Sequence, residues 1–204
     1  LTLLSPTVNE LEALAGDWDA SVRNAGFTPG DADAALEQLG SRWWARPPVL
    51  GDDERIRASS DRSAANGSSI AMLAEYGGRS ALLTGDAHDD VLTASLRRIR
   101  AERGLAEPIA VDALKLSHHG SLHNTTPQLL AEMAIDHYLV STSGDRFDHP
   151  DAAVIRTIID HHQGASPEPL VLCNYEQQQT TLWNGLPGVQ MRYGPDAVLR
   201  LATT

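Results

Sequence analysis

The sequence predicts an α/β layered domain. Apolar runs of strand length alternate with stretches of helical period, then give way to a strand-like, turn-rich tail. Two runs, over 81–84 and 111–117, end abruptly in glycine and metal-binding residue types: Gly85-Asp86-Ala87-His88 and His118-His119-Gly120-Ser121. Each reads as a buried strand delivering polar groups at its C-terminal end, where open α/β sheets bind their ligands.

The elements follow in order. Leu1-Thr2-Leu3-Leu4-Ser5-Pro6 reads as a strand entered in mid-flow, so the chain is expected to be the C-terminal part of a longer polypeptide. Thr7 and Glu10 have the spacing of a capping box. A helix should start at Val8, with Val8, Leu11, Leu14, Trp18 and Val22 as its packing stripe and Gly26 as its stop. A second short helix fits 31–39. From Gly40 to Asn66 the composition turns to Arg, Asp, Pro, Ser and Gly, a surface loop whose Trp43-Trp44 pair reads as packing before it reads as a lid. Gly77-Gly78 joins two strands, 69–76 and 79–84, as a hairpin.

Asp89 and Asp90 open the next helix, and Arg97, Arg98, Arg100 and Arg103 crowd its end, an order that suits the macrodipole. Those arginines read as a solvated helix end rather than a phosphate site. After the 111–117 strand, Thr126-Pro127 opens a helix through Leu129, Leu130 and Met133, and a strand returns over 135–141. Pro150 begins a helix carrying Val154, Ile155, Ile158 and Ile159, which ends at Gly164. Strand-like segments at 170–173, 180–183 and 197–201 complete the chain.

Composition narrows the function. With 27 acidic against 16 basic side chains, a net −11, a broad basic surface for nucleic acid is excluded, although a local site is not. The single cysteine, Cys173, rules out an internal disulfide framework and fits a reducing compartment or indifference to redox state; a cytoplasmic location is expected. No run approaches the ~18 apolar residues of a membrane span, so no membrane contact by this chain is expected.

Aspartate and histidine are ligands for zinc or a similar first-row ion, and a carboxylate can bridge two ions. A two-metal site activates water and steadies both attacking and departing oxygens, the requirements of ester, amide or phosphodiester hydrolysis. In order along residues 1–160 stand Leu4-Ser5-Pro6, Asn66-Gly67-Ser68-Ser69, Leu82-Leu83-Thr84-Gly85-Asp86, 114–121 with its Lys115 and His118-His119-Gly120-Ser121, and Asp148-His149-Pro150 after Ser141-Thr142-Ser143-Gly144. This series resembles the metallo-β-lactamase fold, in particular the hydrolase domains of ComEC-type competence DNA-internalisation proteins.

The resemblance implies the C-terminal half of an αββα sandwich over 1–204, with a helical and loop insertion at about 8–65. It implies two divalent ions, zinc before manganese, with Asp86 as the bridging carboxylate and one of His118 and His119 as a ligand, the other touching substrate or a ligand. His149 is the candidate for a phosphate contact or general acid. Lys115 is expected to be structural, His88 to be an ordinary residue at a helix start, and Asn66 to fix a loop. His123, His137, His161 and His162 have no comparable context.

The family's N-terminal His-x-His-x-Asp-His string is absent from these 204 residues. Asp86 and the neighbouring histidines do not fill two coordination spheres. The implied partner is therefore an N-terminal half on another chain or fragment, an arrangement compatible with an oligomer, with nucleic acid as a candidate substrate. The activity expected is that of a phosphodiesterase or nuclease. The alternatives are a catalytically silent binding or regulatory module, and a hydrolase of small esters, lactones or lipids.

Overall fold

The computed structural model describes residues 1–39, 63–144 and 147–202. Among these, seven strands form one mixed sheet in chain order: β1 Thr2–Ser5, β2 Ala71–Tyr76, β3 Arg79–Leu83, β4 Ile109–Lys115, β5 Met133–Val140, β6 Leu170–Cys173 and β7 Gln190–Tyr193. β1, β2 and β3 run antiparallel, and β3 through β7 are all parallel. The hairpin between β2 and β3 turns on Gly77 and Gly78 at φ +54° and +74°, the pair of left-handed residues that a tight hairpin requires.

Each parallel step is bridged by a helix: α4 Asp89–Glu102, α5 Pro127–Leu130, α6 Ala152–His161 and α7 Gln178–Thr181. Right-handed crossovers that always step the same way put their helices on one face of the sheet. Across that face Leu73, Leu82, Leu114, Tyr138 and Val171 lie side by side. They join Leu92, Leu96 and Ile99 of α4, Leu129 and Leu130 of α5, and Val154, Ile155 and Ile158 of α6 in one buried cluster.

The other face carries a second apolar row: Leu3, Met72, Leu83, Lys115, Leu139, Leu172 and Arg192. Leu172 is buried but lies outside the main cluster. The C-terminal tail returns to β3, where Arg79 donates through Nε to the Ala202 carbonyl at 2.8 Å. To reach β3 from β7 the tail recrosses four strand spacings, about 19 Å, a span that six extended residues can bridge. Half-buried Ala197, Leu199 and Leu201 alternate with exposed Val198 and Arg200 along it. Among the described residues the β1–β3 end of this face stays open, with Leu3 56%, Ile70 62% and Leu83 42% exposed.

Several expectations need correction. α1 spans Val8–Asn24, and the Glu10 carboxylate accepts from both the N–H and the hydroxyl of Thr7, but the helix buries no residue. Its stripe is not a packing stripe: Val8, Leu11 and Trp18 are exposed. The reason is position, since α1 leaves the sheet at the β1 edge and meets the short helix α3, Ala64–Gly67.

The arginines do form a solvated helix end, with Arg97, Arg98 and Arg103 exposed and Arg100 half-buried, but each is also ion-paired. Arg97 and Arg100 clamp Glu132 at 2.7 and 2.8 Å, Arg103 grips Glu75 with two bonds, and Arg98 pairs with Glu102. The acidic excess supplies a partner for each. α5 stops at Leu130, and Met133 opens β5 instead of closing a helix. The 180–183 segment is not a strand: buried Thr180 and Trp183 are three residues apart, a helical spacing, and belong to α7 and its cap. Residues 197–201 form no strand, whereas β7 lies earlier, at 190–193.

α2, Ala32–Leu39, matches the expected short helix. The loop expected from Gly40 lies mostly outside the described residues, as does the Trp43-Trp44 pair, and Asn66 at its end sits in α3. Among the described residues no helix is long and apolar enough to cross a membrane.

Candidate metal and catalytic site

Asp86 leaves β3 through Gly85, whose φ of +54° and whose closeness to Ile70 leave no room for a side chain: a Cβ there would meet the Ile70 carbonyl at 3.0 Å. The strand ends are tied together. Thr84 donates its hydroxyl to the Lys115 carbonyl at 2.6 Å, and the His118 N–H donates to the Gly85 carbonyl at 3.0 Å. Ser117 and Asn124 donate to the Ala87 carbonyl at 2.7 and 3.2 Å. Both are buried. They fix the Asp86 loop from beneath, and sequence reading passed over them. Their signal was two small polar residues flanking the His-His-Gly-Ser turn.

His118 and His119 both adopt left-handed backbone, at φ +44° and +59°, ahead of Gly120 at +86°. For a residue with a Cβ this costs about 1–2 kcal/mol, and such strain gathers where geometry serves function. The turn brings the imidazoles close to one another. The His118 ring stands 6.1 Å from that of His119 and 5.6 Å from that of His149.

His119 Nδ1 lies 2.5 Å from the Ser141 carbonyl oxygen. A carbonyl only accepts, so Nδ1 carries the proton and Nε2 keeps its lone pair in the neutral ring, the arrangement of a metal-ligating histidine oriented by a backbone carbonyl.

His149 Nδ1 is 3.5 Å from the Asp151 carboxylate, an ion-pair separation longer than a hydrogen bond. Burial pushes the Asp151 pKa up, but His149, the Leu122 amide and the nearby histidine charges outweigh it and hold the carboxyl below its ordinary range. The Asp151 N–H donates to the Gly120 carbonyl at 3.0 Å, locking the His149 loop onto the double-histidine turn.

Lys115 lies on the helix-free face and also feels the Asp86 charge. Burial lowers its pKa and Asp86 works against that shift, while its ammonium donates to the Leu116 carbonyl at 2.8 Å. His88 precedes α4 with its ring against Gly67, where a Cβ would come within 2.8 Å of the ring. His137 bonds the Asp112 carbonyl, His162 bonds the Tyr138 hydroxyl at 2.9 Å, and His123 is exposed.

The site thus sets His149, on the loop before α6, beside His118 and His119, whose turn binds the Gly85 carbonyl next to Asp86. Among the described residues no three or more His, Cys, Asp or Glu side chains are grouped to hold a metal ion. Asp86 and the histidines have the donor chemistry of first-row ion ligands, and the Ser141 carbonyl fixes the ring of His119. No family model matches the chain, and no curated protein or solved structure matches it either.

Proposed function

We propose that this chain is the C-terminal half of an αββα metallo-β-lactamase-type sandwich and serves a metal-dependent hydrolase, with phosphodiesters as the first substrate class. The observation that carries this reading is the convergence of the Gly85-Asp86 and His118-His119 loops at the C-terminal ends of adjacent parallel strands, with the His149 ring 5.6 Å from that of His118. The open apolar end of the sheet supports a further layer against it, since exposed Leu3 and Leu83 flank half-buried Met72 beside the site, an apolar surface suited to a covering layer. The N-terminal half that covers it would bring the missing ligands.

In that assembly Asp86 and His119 would be ligands from this chain. Bound divalent ions supply a water ionised near neutral pH and positive charge at the reacting oxygens. The chain's own residues do the rest. Ser141 holds the His119 tautomer, and Asp151 keeps a carboxylate beside His149, which stands next to the ligand turn as the candidate general acid.

Protein purified from its native cells without chelator is expected to retain about two zinc or manganese ions per assembly and to hydrolyse a chromogenic phosphodiester. Asp86→Ala should lower kcat by more than about a hundredfold, since even residues one shell away from a metal cost 10–100-fold. Metal-free protein with unaltered behaviour in Asp86→Ala would sink the enzyme and leave a silent binding module. Turnover of esters or lactones alone would move the substrate class.

A further inference from the structure

The connection after β6 contains Asn174, Gln177 and Gln179, which no part of the proposed chemistry uses. Gln177 is buried, and its Nε2 donates to the Thr142 carbonyl at 2.5 Å. Asn174 accepts from the Thr142 N–H at 2.9 Å, so both backbone groups of Thr142 are bound by side chains more than thirty residues later in the chain. Backbone polar groups must find partners, and here the partners are side chains rather than a neighbouring strand. Gln179 Nε2 donates to the Asp148 carboxylate at 3.1 Å. Asp148 is itself left-handed at φ +56° and stands directly before His149. Gly144 is pressed against Gln177: a Cβ there would sit 2.1 Å from Oε1.

We infer that Gln177 and Gln179 are positioning residues that set the His119 and His149 imidazoles through the backbone at 141–144 and at Asp148. The inference rests on the hydrolase reading for its consequence in turnover, and on geometry alone for the placement of the rings. Gln177 holds Thr142, next to the Ser141 carbonyl that fixes His119. Gln179 holds the residue whose dihedrals aim His149. The two side chains therefore act on different rings. The intervening Gln178 is exposed and contributes a carbonyl to Thr181, so it acts on neither.

The test is the histidine-ring NMR spectrum of the full chain, assigned through His119→Gln and His149→Gln. Gln179→Glu keeps the shape and loses the donor, and is expected to displace the His149 ring signal while His88 and His137 stay in place. Gln177→Ala should displace His119 as well, and Gln178→Ala should displace none. If Gln177→Ala fails to fold, the half-buried Gln179 still decides the matter. With bis(p-nitrophenyl) phosphate, Gln179→Glu should lower kcat about tenfold and leave KM within about twofold, part of the hundredfold that a 1 Å misplacement can cost. An unmoved His149 signal in Gln179→Glu overturns the proposal, and so does a uniform shift of every histidine. Displaced ring signals in a protein whose parent hydrolyses nothing would support the positioning role and count against the hydrolase alone.

Discussion

Gly120→Ala is expected to destabilise the protein by about 2–5 kcal/mol, whereas Gly104→Ala, at an equally left-handed position, costs about 1–2 kcal/mol. Both glycines have positive φ, +86° and +64°. Only Gly120 is crowded: a Cβ there would meet the Pro150 Cβ at 2.7 Å and its Cα at 3.3 Å, while Gly104 has nothing within 4 Å. The difference between the variants isolates the steric term from the backbone term. It is large against the 5–15 kcal/mol of a typical domain. Pro150 follows His149, so relief of the clash also draws the His149 loop away from the double-histidine turn and lengthens the 5.6 Å approach of the two rings. Where Gly120→Ala still folds, the proposed hydrolysis would be expected to fall with the displaced His149 loop. Urea unfolding of both variants at neutral pH settles the first claim, and equal losses would refute it.

The parts legible in the sequence were those written in local chemistry. The Gly77-Gly78 hairpin, the Thr7/Glu10 cap and the two strand ends at Gly85 and His118 all follow from residue types with few conformational options. What escaped depended on partners distant in the chain. The arginines at the end of α4 read as solvated, and three of them are, but nothing near Arg97, Arg100 and Arg103 in sequence names Glu132 or Glu75 as their acceptors. The stripe of α1 has the period of a packing helix, but period says only that a face is apolar and not what lies against it. β7 was hidden because Gln190-Met191-Arg192-Tyr193 is an edge strand with two polar residues in four, its alternation of exposed and half-buried positions too short to read. In the site, Asp86 and the histidines carried a recognisable order. Asn124 and Gln177 did not, since amide side chains declare a role only when their hydrogen-bond partners are in view.

Stability should be level from neutral to mildly alkaline pH, begin to fall below about pH 6.5, and drop steeply through the carboxylate range. The two groups responsible have the same sign. Burial lowers the pKa of His161 and His162 below 6.5, so the unfolded chain binds protons first and the folded state loses ground as pH falls. Glu132, Asp112 and Glu75 are held below the ordinary carboxylate range. At Glu132 and Asp112 burial acts the other way and is outweighed, at Glu132 by Arg97 and Arg100 and at Asp112 by Ser80 and Arg79; at Glu75 the Arg103 bond is the largest effect. Their contribution is complete above the unfolded value and is lost as pH falls through the folded one.

Glu132 is the decisive case, since its side chain is only 8% exposed and joins α4 to the start of β5. Glu132→Gln leaves two arginines facing a neutral amide. It should cost about 2 kcal/mol at pH 7, less than a fully buried pair because Arg97 is largely exposed. The gap between parent and variant should narrow as pH falls through the carboxylate range, where the unfolded parent takes up a proton at Glu132 before the folded one does. Thermal unfolding of both proteins from pH 8 to pH 3 reads this directly. A gap independent of pH would mean that Glu132 acts through shape and not through its charge.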